Sequence, residues 1–151
     1  MELAAYILVV VPLCAFIGYP VVLLLAARAL PRRPGRAVPG NPSLTILICA
    51  HNEAARIGEK IASVLAALDA TGLGGQIIVG DDASSDGTAS LVEGFAHRGV
   101  VLVRAPRGGK AATLNRIVPL ATGEIIVMTD AAPLFDADTL PALLAPFADP
   151  A

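Results

Sequence analysis

Short apolar runs alternate with amphipathic stretches over most of the chain after residue 43. Four runs are rich in branched apolar residues and predict buried strands: Leu44–Ala50, Gln76–Gly80, Val100–Val103 and Glu124–Met128. Between and after them, apolar positions at helical spacing predict helices over about residues 52–68, 88–97, 110–118 and 138–147. Because strands alternate with helices, we predict a parallel sheet and an α/β fold.

The first of these helices also yields predictions for single side chains. Asn52 follows the first strand and is predicted to be the helix N-cap, with Glu53 in the first turn. The apolar positions of this helix leave Glu59 and Lys60 on the opposite face, where we expect both to point into solvent.

The N-terminal segment has a different pattern. Leu3 through Ala27 carry no charged side chain, and the run exceeds the roughly 20 apolar residues needed to cross a bilayer. Pro12 and Pro20 are compatible with a membrane-spanning helix. A retained membrane anchor is therefore predicted over residues 1–30, with a cleaved signal peptide or a buried core helix as alternatives.

Basic residues set the expected orientation of this anchor. All of them follow the apolar run, at Arg28, Arg32, Arg33 and Arg36. The positive-inside rule then places the remainder of the chain in the cytoplasm, as a single-pass protein of the cell membrane in contact with membrane lipid. Residues 31–42 are rich in Pro, Gly and Arg and predict a stiff linker to a globular domain over residues 43–151.

Composition agrees with this division. The chain of 151 residues is 55% hydrophobic and only 16% charged, against about 25% charged in typical soluble domains. The net charge of −2 argues against a nucleic-acid partner, which would require a basic face.

Polar side chains follow three of the four predicted strands. They are His51 and Glu53 after the first, Asp81 and Asp82 after the second, and Asp130 after the fourth. The carboxyl ends of parallel strands meet at one edge of a sheet, where ligands bind in open α/β folds.

The loop of residues 104–109 adds a basic, glycine-containing element to this edge. Together with the acids it suggests a polyphosphate ligand, with Lys110 or Arg107 facing the phosphates. Carboxylate oxygens are the ligands that Mg²⁺ or Mn²⁺ prefer, so either ion is an expected cofactor.

Other ligand-binding motifs fit less well. The first strand is not followed by a dinucleotide-binding glycine pattern, and the P-loop-like Gly108-Gly109-Lys110 lacks its first glycine and its final Ser or Thr. Residues 82–93 match the spacing of a calcium-binding EF-hand loop, but a strand rather than a helix precedes them.

Four motifs occur together in one order. They are Ile48-Cys-Ala-His-Asn-Glu53, Val79-Gly-Asp-Asp-Ala-Ser-Ser-Asp-Gly-Thr88, Gly109-Lys110 followed by Asn115, and Thr122-Gly-Glu-Ile-Ile-Val-Met-Thr-Asp130. In this combination the chain resembles family 2 glycosyltransferases. The resemblance implies a Rossmann-like parallel-sheet, nucleotide-binding half of an A-type glycosyltransferase domain. It also implies an inverting enzyme that transfers a sugar from a nucleotide-diphosphate sugar, with a UDP-sugar as the expected donor, to a polysaccharide, lipid or other acceptor.

The resemblance also implies roles for individual residues. Glu53 and Asp82 would contact the nucleoside, His51 would belong to the same nucleotide-sugar-binding site, Lys110 would lie near the diphosphate, and Asp130 would lie beside the diphosphate and the metal. Each has a structural alternative: a loop position for His51, a turn or helix cap for Asp82, a first-turn position favoured by the helix dipole for Glu53, a solvated helix start for Lys110, and a strand-end turn for Asp130.

Two features depart from the family pattern. The second acid of its Asp-x-Asp motif is replaced, since Ala131 and Ala132 follow Asp130, so the metal would need the phosphates or an acid such as Asp136 or Asp138. No catalytic base or acceptor site is recognised, and we expect an incomplete, donor-binding part of the enzyme. The alternatives are a catalytically inactive, membrane-tethered nucleotide-binding or interaction module, and a nucleotidyltransferase-like enzyme.

Overall fold

The protein, described by a computed structural model, forms two compact units, Met1–Pro34 and Gly35–Ala151. The structure describes residues 2–29 and 40–148. Most of the predicted linker, with Arg32, Arg33 and Arg36, lies outside the described residues.

The first unit is helical. It consists of α1 (Glu2–Leu13), a π-helical turn (Cys14–Gly18) and α2 (Tyr19–Ala29). Val10–Ala29 is long and apolar enough to span a membrane, with a mean hydropathy of 2.3. Large apolar side chains such as Phe16 are exposed along it, as expected of a helix that is apolar all round. Length and composition make this helix a candidate span, and a signal sequence can share both properties.

The second unit alternates strands and helices. Its elements are β1 (Leu44–Ala50), α3 (Ile57–Thr71), β2 (Gly75–Asp82), α4 (Thr88–Glu93), β3 (Val100–Ala105), α5 (Gly109–Ile117), β4 (Ile125–Asp130) and α6 (Thr139–Ala148). Short 3₁₀ turns at Ala96–Arg98 and Val118–Leu120 follow α4 and α5. The prediction of an α/β fold is therefore confirmed.

The four strands form one parallel sheet in the order β3-β2-β1-β4. The chain builds outward from β1 through β2 to β3 and then returns to the other side of β1. A sheet whose strand order reverses in this way has a crevice at the carboxyl ends of the strands beside the reversal. Here those strands are β1 and β4.

The core has two layers, one on each face of the sheet. The larger joins alternate residues of β1 to α3, α4 and α6, and the smaller joins Leu47 and Ile78 to Ile117 of α5. β1 is covered on both faces because it lies between two strands and two helical layers. This explains why its sequence is continuously apolar rather than alternating.

Two predictions about the first helix of this unit were wrong. The helix begins at Ile57 rather than near Asn52, and its N-cap is Arg56. Asn52 instead lies in the preceding loop with a left-handed φ of 55°, a conformation that Asn tolerates better than most residues. Lys60 does not point into solvent, since it is completely buried.

Close packing of α5 on β2 depends on Gly80. A Cβ atom at this position would lie 2.5 Å from Cγ2 of Thr113 and 3.2 Å from two carbon atoms of Ile117. The absent side chain allows Thr113 and Ile117 of α5 to pack against the end of β2. Asp82, two residues further along, therefore lies close to the loop that precedes α5.

We expect Gly80→Ala to lower the free energy of unfolding of the second unit by about 1–3 kcal/mol, because it overpacks the contact with α5. The measurement is urea unfolding of the full chain in detergent micelles, followed by circular dichroism. Gly58→Ala is the matched control, since a Cβ atom there meets nothing within 4 Å and alanine favours a helix. Equal unfolding midpoints for the Gly80 variant and wild type would contradict the prediction.

Candidate functional site

A cleft of about 430 Å³ lies at the carboxyl edge of the sheet, at the strand reversal. Its walls come from the ends of β1, β2 and β4 and from the start of α5. The lining residues are Cys49, Ala50, His51, Glu53, Asp82, Arg107, Gly109, Lys110, Asp130, Ala131 and Ala132. All five side chains proposed from the sequence as ligand-binding therefore lie around one cavity.

Asp82 is the most highly bonded side chain of the cleft. Its carboxylate accepts hydrogen bonds from the backbone N–H groups of Gly108 (2.7 Å) and Gly109 (3.0 Å). It also accepts from the Thr113 hydroxyl and pairs with the Arg107 guanidinium. The Gly108 N–H is the main cause that lowers the pKa of Asp82, with Gly109 and Arg107 acting in the same direction. Asp82 thus anchors the basic loop to the end of β2.

Arg107 makes a contact that the sequence did not predict. It was a candidate to face phosphates, but its guanidinium pairs with Asp82 while more than half of the side chain stays exposed to the cleft. Residues 82 and 107 are distant in sequence, and no local pattern indicates their contact.

The loop after β1 is joined to the turn after β2 by backbone and side-chain hydrogen bonds. Asn52 lies at its centre: its N–H donates to the Ser84 hydroxyl, and its side-chain oxygen accepts from the Ser85 N–H, both at 2.9 Å. Glu53 N–H donates to the Thr88 hydroxyl, and Ala54 N–H donates to the Asp86 carboxylate. These bonds support the first loop, whose His51 and Glu53 line the cleft.

Asp81 and Asp86 shape the turn after β2. Asp81 accepts from the Ser84 N–H, and it is buried. Asp86 accepts from both the N–H and the hydroxyl of Thr88 at the start of α4. The hydroxyl bond is the main cause that lowers the pKa of Asp86. Neither acid lines the cleft, which agrees with a role in the turn.

His51 and Glu53 face the cleft from the end of β1. His51 Nδ1 lies 2.8 Å from the Asp82 carbonyl oxygen, which can only accept, so Nδ1 carries the proton. The Glu53 carboxylate lies 3.6 Å from Arg56 and is about a quarter exposed. Its carbonyl accepts the N–H groups that begin α3, so Glu53 combines a place at the helix start with a carboxylate that a ligand can reach.

Lys110 and Asp130 face each other across the other end of the cleft. Lys110 Nζ lies 2.6 Å from an Asp130 carboxylate oxygen, and both side chains are more than half exposed. The hydrogen bond to Asp130 raises the pKa of Lys110. An exposed pair of this kind contributes little to stability. Both groups can therefore exchange partners when an anion or cation enters.

The side chains that could coordinate the expected metal ion are few. Among the described residues no group of three or more His, Cys, Asp or Glu side chains could hold an ion. Asp130 supplies one carboxylate, and Ala131 and Ala132 beside it supply no ligand atom. Asp136 does not line the cleft, and its carboxylate accepts the hydroxyl of Thr139 at the start of α6. Mg²⁺ is commonly bound by one or two carboxylates together with substrate phosphates, so Asp130 fits a cation that enters with a diphosphate.

Comparison with known proteins gives a consistent family. The model described as glycosyl transferase family 2 matches residues 45–151. A β-monoglucosyldiacylglycerol synthase of Trichormus variabilis is 36% identical over 109 residues, which cover 68% of this chain and 23% of that protein. A Nostoc protein of the same description is 35% identical over 109 residues, which again cover 68% of this chain and 23% of that protein. The chain thus spans about a quarter of the length of these relatives.

Solved structures give the same fold. A mannosyltransferase from Pyrobaculum calidifontis, in complex with GDP-Man and Mn²⁺, aligns with a TM-score of 0.71 and 32% identity over 91% of this chain and 42% of that chain. A glucosyl-3-phosphoglycerate synthase from Mycobacterium tuberculosis, in complex with Mn²⁺, UDP and phosphoglyceric acid, aligns with a TM-score of 0.60 and 26% identity. That alignment covers 78% of this chain and 45% of the synthase.

We expect Asp82→Asn to destabilise the second unit near neutral pH, because the amide cannot replace the charge that holds the basic loop. The pKa of Asp82 is lower in the folded state, so its stabilisation is present above the unfolded pKa of about 3.9 and is lost as pH falls through the folded pKa. The difference between variant and wild type should therefore shrink below about pH 4.

The measurement is urea unfolding by circular dichroism at a series of pH values from neutral to acid. Asp69→Asn is the control, since Asp69 pairs with Arg98 on the exposed surface and should matter little. A difference between Asp82→Asn and wild type that stays constant down to acid pH would contradict the assignment.

Proposed function

The chain belongs to glycosyl transferase family 2, and from this premise we propose that it forms the donor-binding part of a membrane-anchored, inverting glycosyltransferase. The donor is a nucleotide-diphosphate sugar, with UDP as the proposed nucleotide. The acceptor is a lipid, polysaccharide or other molecule at the cytoplasmic membrane face. The observation that carries this proposal is the single cleft that joins His51, Glu53, Asp82, Lys110 and Asp130.

The nucleoside occupies the end of the cleft nearest β1 and β2. Glu53 offers a carboxylate to ribose hydroxyls or base N–H groups, and the His51 ring lines the same end of the cleft, with Nε2 3.3 Å from the Asn52 side-chain amide. Asp82 already accepts several hydrogen bonds from the basic loop. A base N–H reaches it at the oxygen that Arg107 now holds, so binding of the base releases Arg107 toward the ligand.

The diphosphate occupies the opposite end. Lys110 lies in the first turn of α5, where the backbone N–H groups and the positive end of the helix dipole also favour an anion. Asp130 would hold Mg²⁺ or Mn²⁺ together with the diphosphate, and the ion would supply positive charge that stabilises the leaving nucleotide. Lys110 and Asp130 separate when the ligand enters, since one prefers the phosphates and the other the cation.

Support from the comparisons is of two kinds. The mannosyltransferase and the glucosyl-3-phosphoglycerate synthase contain Mn²⁺ with GDP-Man or UDP. The curated relatives are named for glycolipid synthesis. Transfer itself requires a base that takes a proton from the acceptor hydroxyl, and we assign none among the described residues.

We expect calorimetry to detect UDP binding to the full chain in detergent micelles and Mn²⁺ to tighten it. Asp130→Asn should remove most of the gain that Mn²⁺ produces, about tenfold or more in affinity, because a charge-assisted contact contributes about 1.5–3 kcal/mol. Asp138→Asn is the control, since Asp138 is exposed and lies outside the cleft lining. GDP is titrated in parallel, and absence of binding by both nucleotides would reject the proposed donor site.

A sugar-transfer assay tests whether the donor-binding part is active by itself. The full chain is incubated with UDP-glucose and diacylglycerol in mixed micelles, and glycolipid formation is followed. Because no catalytic base is assigned, we expect nucleotide binding without transfer, and glycolipid formation would contradict the proposal that this part is incomplete.

We expect the chain to behave as an integral membrane protein with the second unit in the cytoplasm. Alkaline carbonate should leave it in the membrane, and added protease should digest the second unit in inside-out but not in right-side-out vesicles. Replacing Arg28, Arg32, Arg33 and Arg36 by Gln should weaken this orientation, because these residues follow the apolar run. Release by carbonate, or digestion only in right-side-out vesicles, would contradict the proposed location.

A further inference from the structure

We infer that Lys60 and Ser63 of α3 form a clasp that positions Thr129–Phe135, and with this segment Asp130, for the diphosphate end of the ligand. This inference rests on the proposed donor site and adds positioning residues to it. Neither residue lines the cleft.

Lys60 is a buried cation within an apolar layer. Its side chain is 0% exposed, and Ile57, Ile61 and Val64 beside it on α3 are buried to the same degree. Burial lowers the pKa of Lys60 to about 8, while the charge of Asp130 acts in the opposite direction. Burying a cation costs free energy unless polar groups compensate it.

All of the compensating groups belong to one segment. Lys60 Nζ donates to the Thr129 hydroxyl at 3.0 Å and to the Pro133 carbonyl at 2.5 Å. It also lies 4.1 Å from the centre of the Phe135 ring, within the range of a cation–π interaction. Thr129 is the residue before Asp130, whereas Pro133 and Phe135 are at the far end of the segment. One ammonium group therefore connects both ends.

Ser63 provides the second half of the clasp, three residues along the same helix. Its hydroxyl accepts the Phe135 N–H at 3.1 Å and donates to the Lys60 carbonyl at 2.8 Å. Lys60 and Ser63 lie on one face of α3 because residues three apart in a helix are neighbours. That face fixes the path of the chain directly after β4.

The segment contains the residues that form one end of the cleft. Ala131 is buried and Ala132 lines the cavity beside Asp130. Among the described residues, the Asp130 carboxylate contacts only the exposed ammonium group of Lys110. In the proposed complex this ammonium group moves away when the ligand binds. The direction of this carboxylate then depends on its backbone, which is held by pairing with Cys49 on β1 and by the clasp. Displacements of about 1 Å can strongly reduce the efficiency of a site.

Replacement of Lys60 by an apolar residue can show whether it positions the segment or only fills space in the core. An apolar residue of similar volume at a buried charged position is often neutral or stabilising. We therefore expect Lys60→Met to retain most of the stability but to loosen the segment. A separation of stability from function is the signature of a positioning residue.

The first test is amide hydrogen exchange on the full chain in detergent micelles. For Lys60→Met we expect peptides covering residues 130–136 to exchange about tenfold faster, because their restraints on α3 are lost. Peptides covering β2 should be unchanged. Glu59→Gln is the matched control, because Glu59 precedes Lys60 on the same helix but is exposed. Equal exchange in Lys60→Met and wild type would overturn the clasp.

The second test measures UDP affinity with and without Mn²⁺. Lys60→Met should reduce the gain in affinity that Mn²⁺ produces by about tenfold, a change of about 1.4 kcal/mol. The metal-free affinity for uridine should stay unchanged, because the end of the cleft near β2 is not touched. Faster exchange with an unaltered Mn²⁺ gain would overturn the positioning role.

A third variant keeps the inference testable if Lys60→Met does not fold. Ser63→Ala removes the acceptor of the Phe135 N–H but leaves the buried ammonium paired, and it should shift both measurements in the same direction by a smaller factor. No effect of Ser63→Ala on either measurement would overturn its part in the clasp. Failure of wild type to bind UDP or GDP would instead reject the donor site, while hydrogen exchange would still test the clasp.

Discussion

The bonds that Asp82 makes to the loop before α5 determine the shape of the candidate site. A carboxylate at the end of β2 can accept two backbone N–H groups and a guanidinium only if α5 begins very close to the sheet. Gly80 permits that approach, because any side chain there would collide with Thr113. The cleft therefore rests on a packing constraint two residues before the acid itself. The end of the cleft near β2 is held by charge-assisted hydrogen bonds of Asp82.

Parallel pairing explains why distant motifs converge. β1 pairs with β2 on one side and β4 on the other, in a register that aligns Ala50 with Asp81 and Cys49 with Asp130. The polar residues that follow these strands must then share one edge. Two non-glycine residues near this edge, Asn52 and Ala83, have a left-handed φ of 55°. Such conformations cost free energy and persist where surrounding contacts impose them. For Asn52 the contacts to Ser84 and Ser85 do so.

The sequence was a good guide where one local signal decided the structure. β1 occupies the predicted residues 44–50, because a central parallel strand is apolar throughout. Predictions failed where contacts with a segment distant in sequence determined the position of a side chain. Helical periodicity placed Lys60 on the outer face of α3, but Thr129–Phe135 covers that face and supplies polar partners. Asn52 is of a residue type that often caps helices, but its hydrogen bonds to Ser84 and Ser85 hold it in the loop before α3. The pairing of Arg107 with Asp82 likewise has no local signature.

The charges around Asp130 bear on how the expected metal ion would bind. The family's second acid is absent here, since Ala131 and Ala132 follow Asp130, whereas Lys110 lies 2.6 Å away and the buried ammonium of Lys60 is bound to the preceding residue. One carboxylate beside two cations holds a free divalent ion poorly, because like charges repel. In the proposed donor complex a diphosphate would reverse this balance, because it would attract Lys110, leave Asp130 open and contribute oxygen ligands of its own. Metal and nucleotide should therefore bind as a coupled pair, and the site should discriminate against the ion alone.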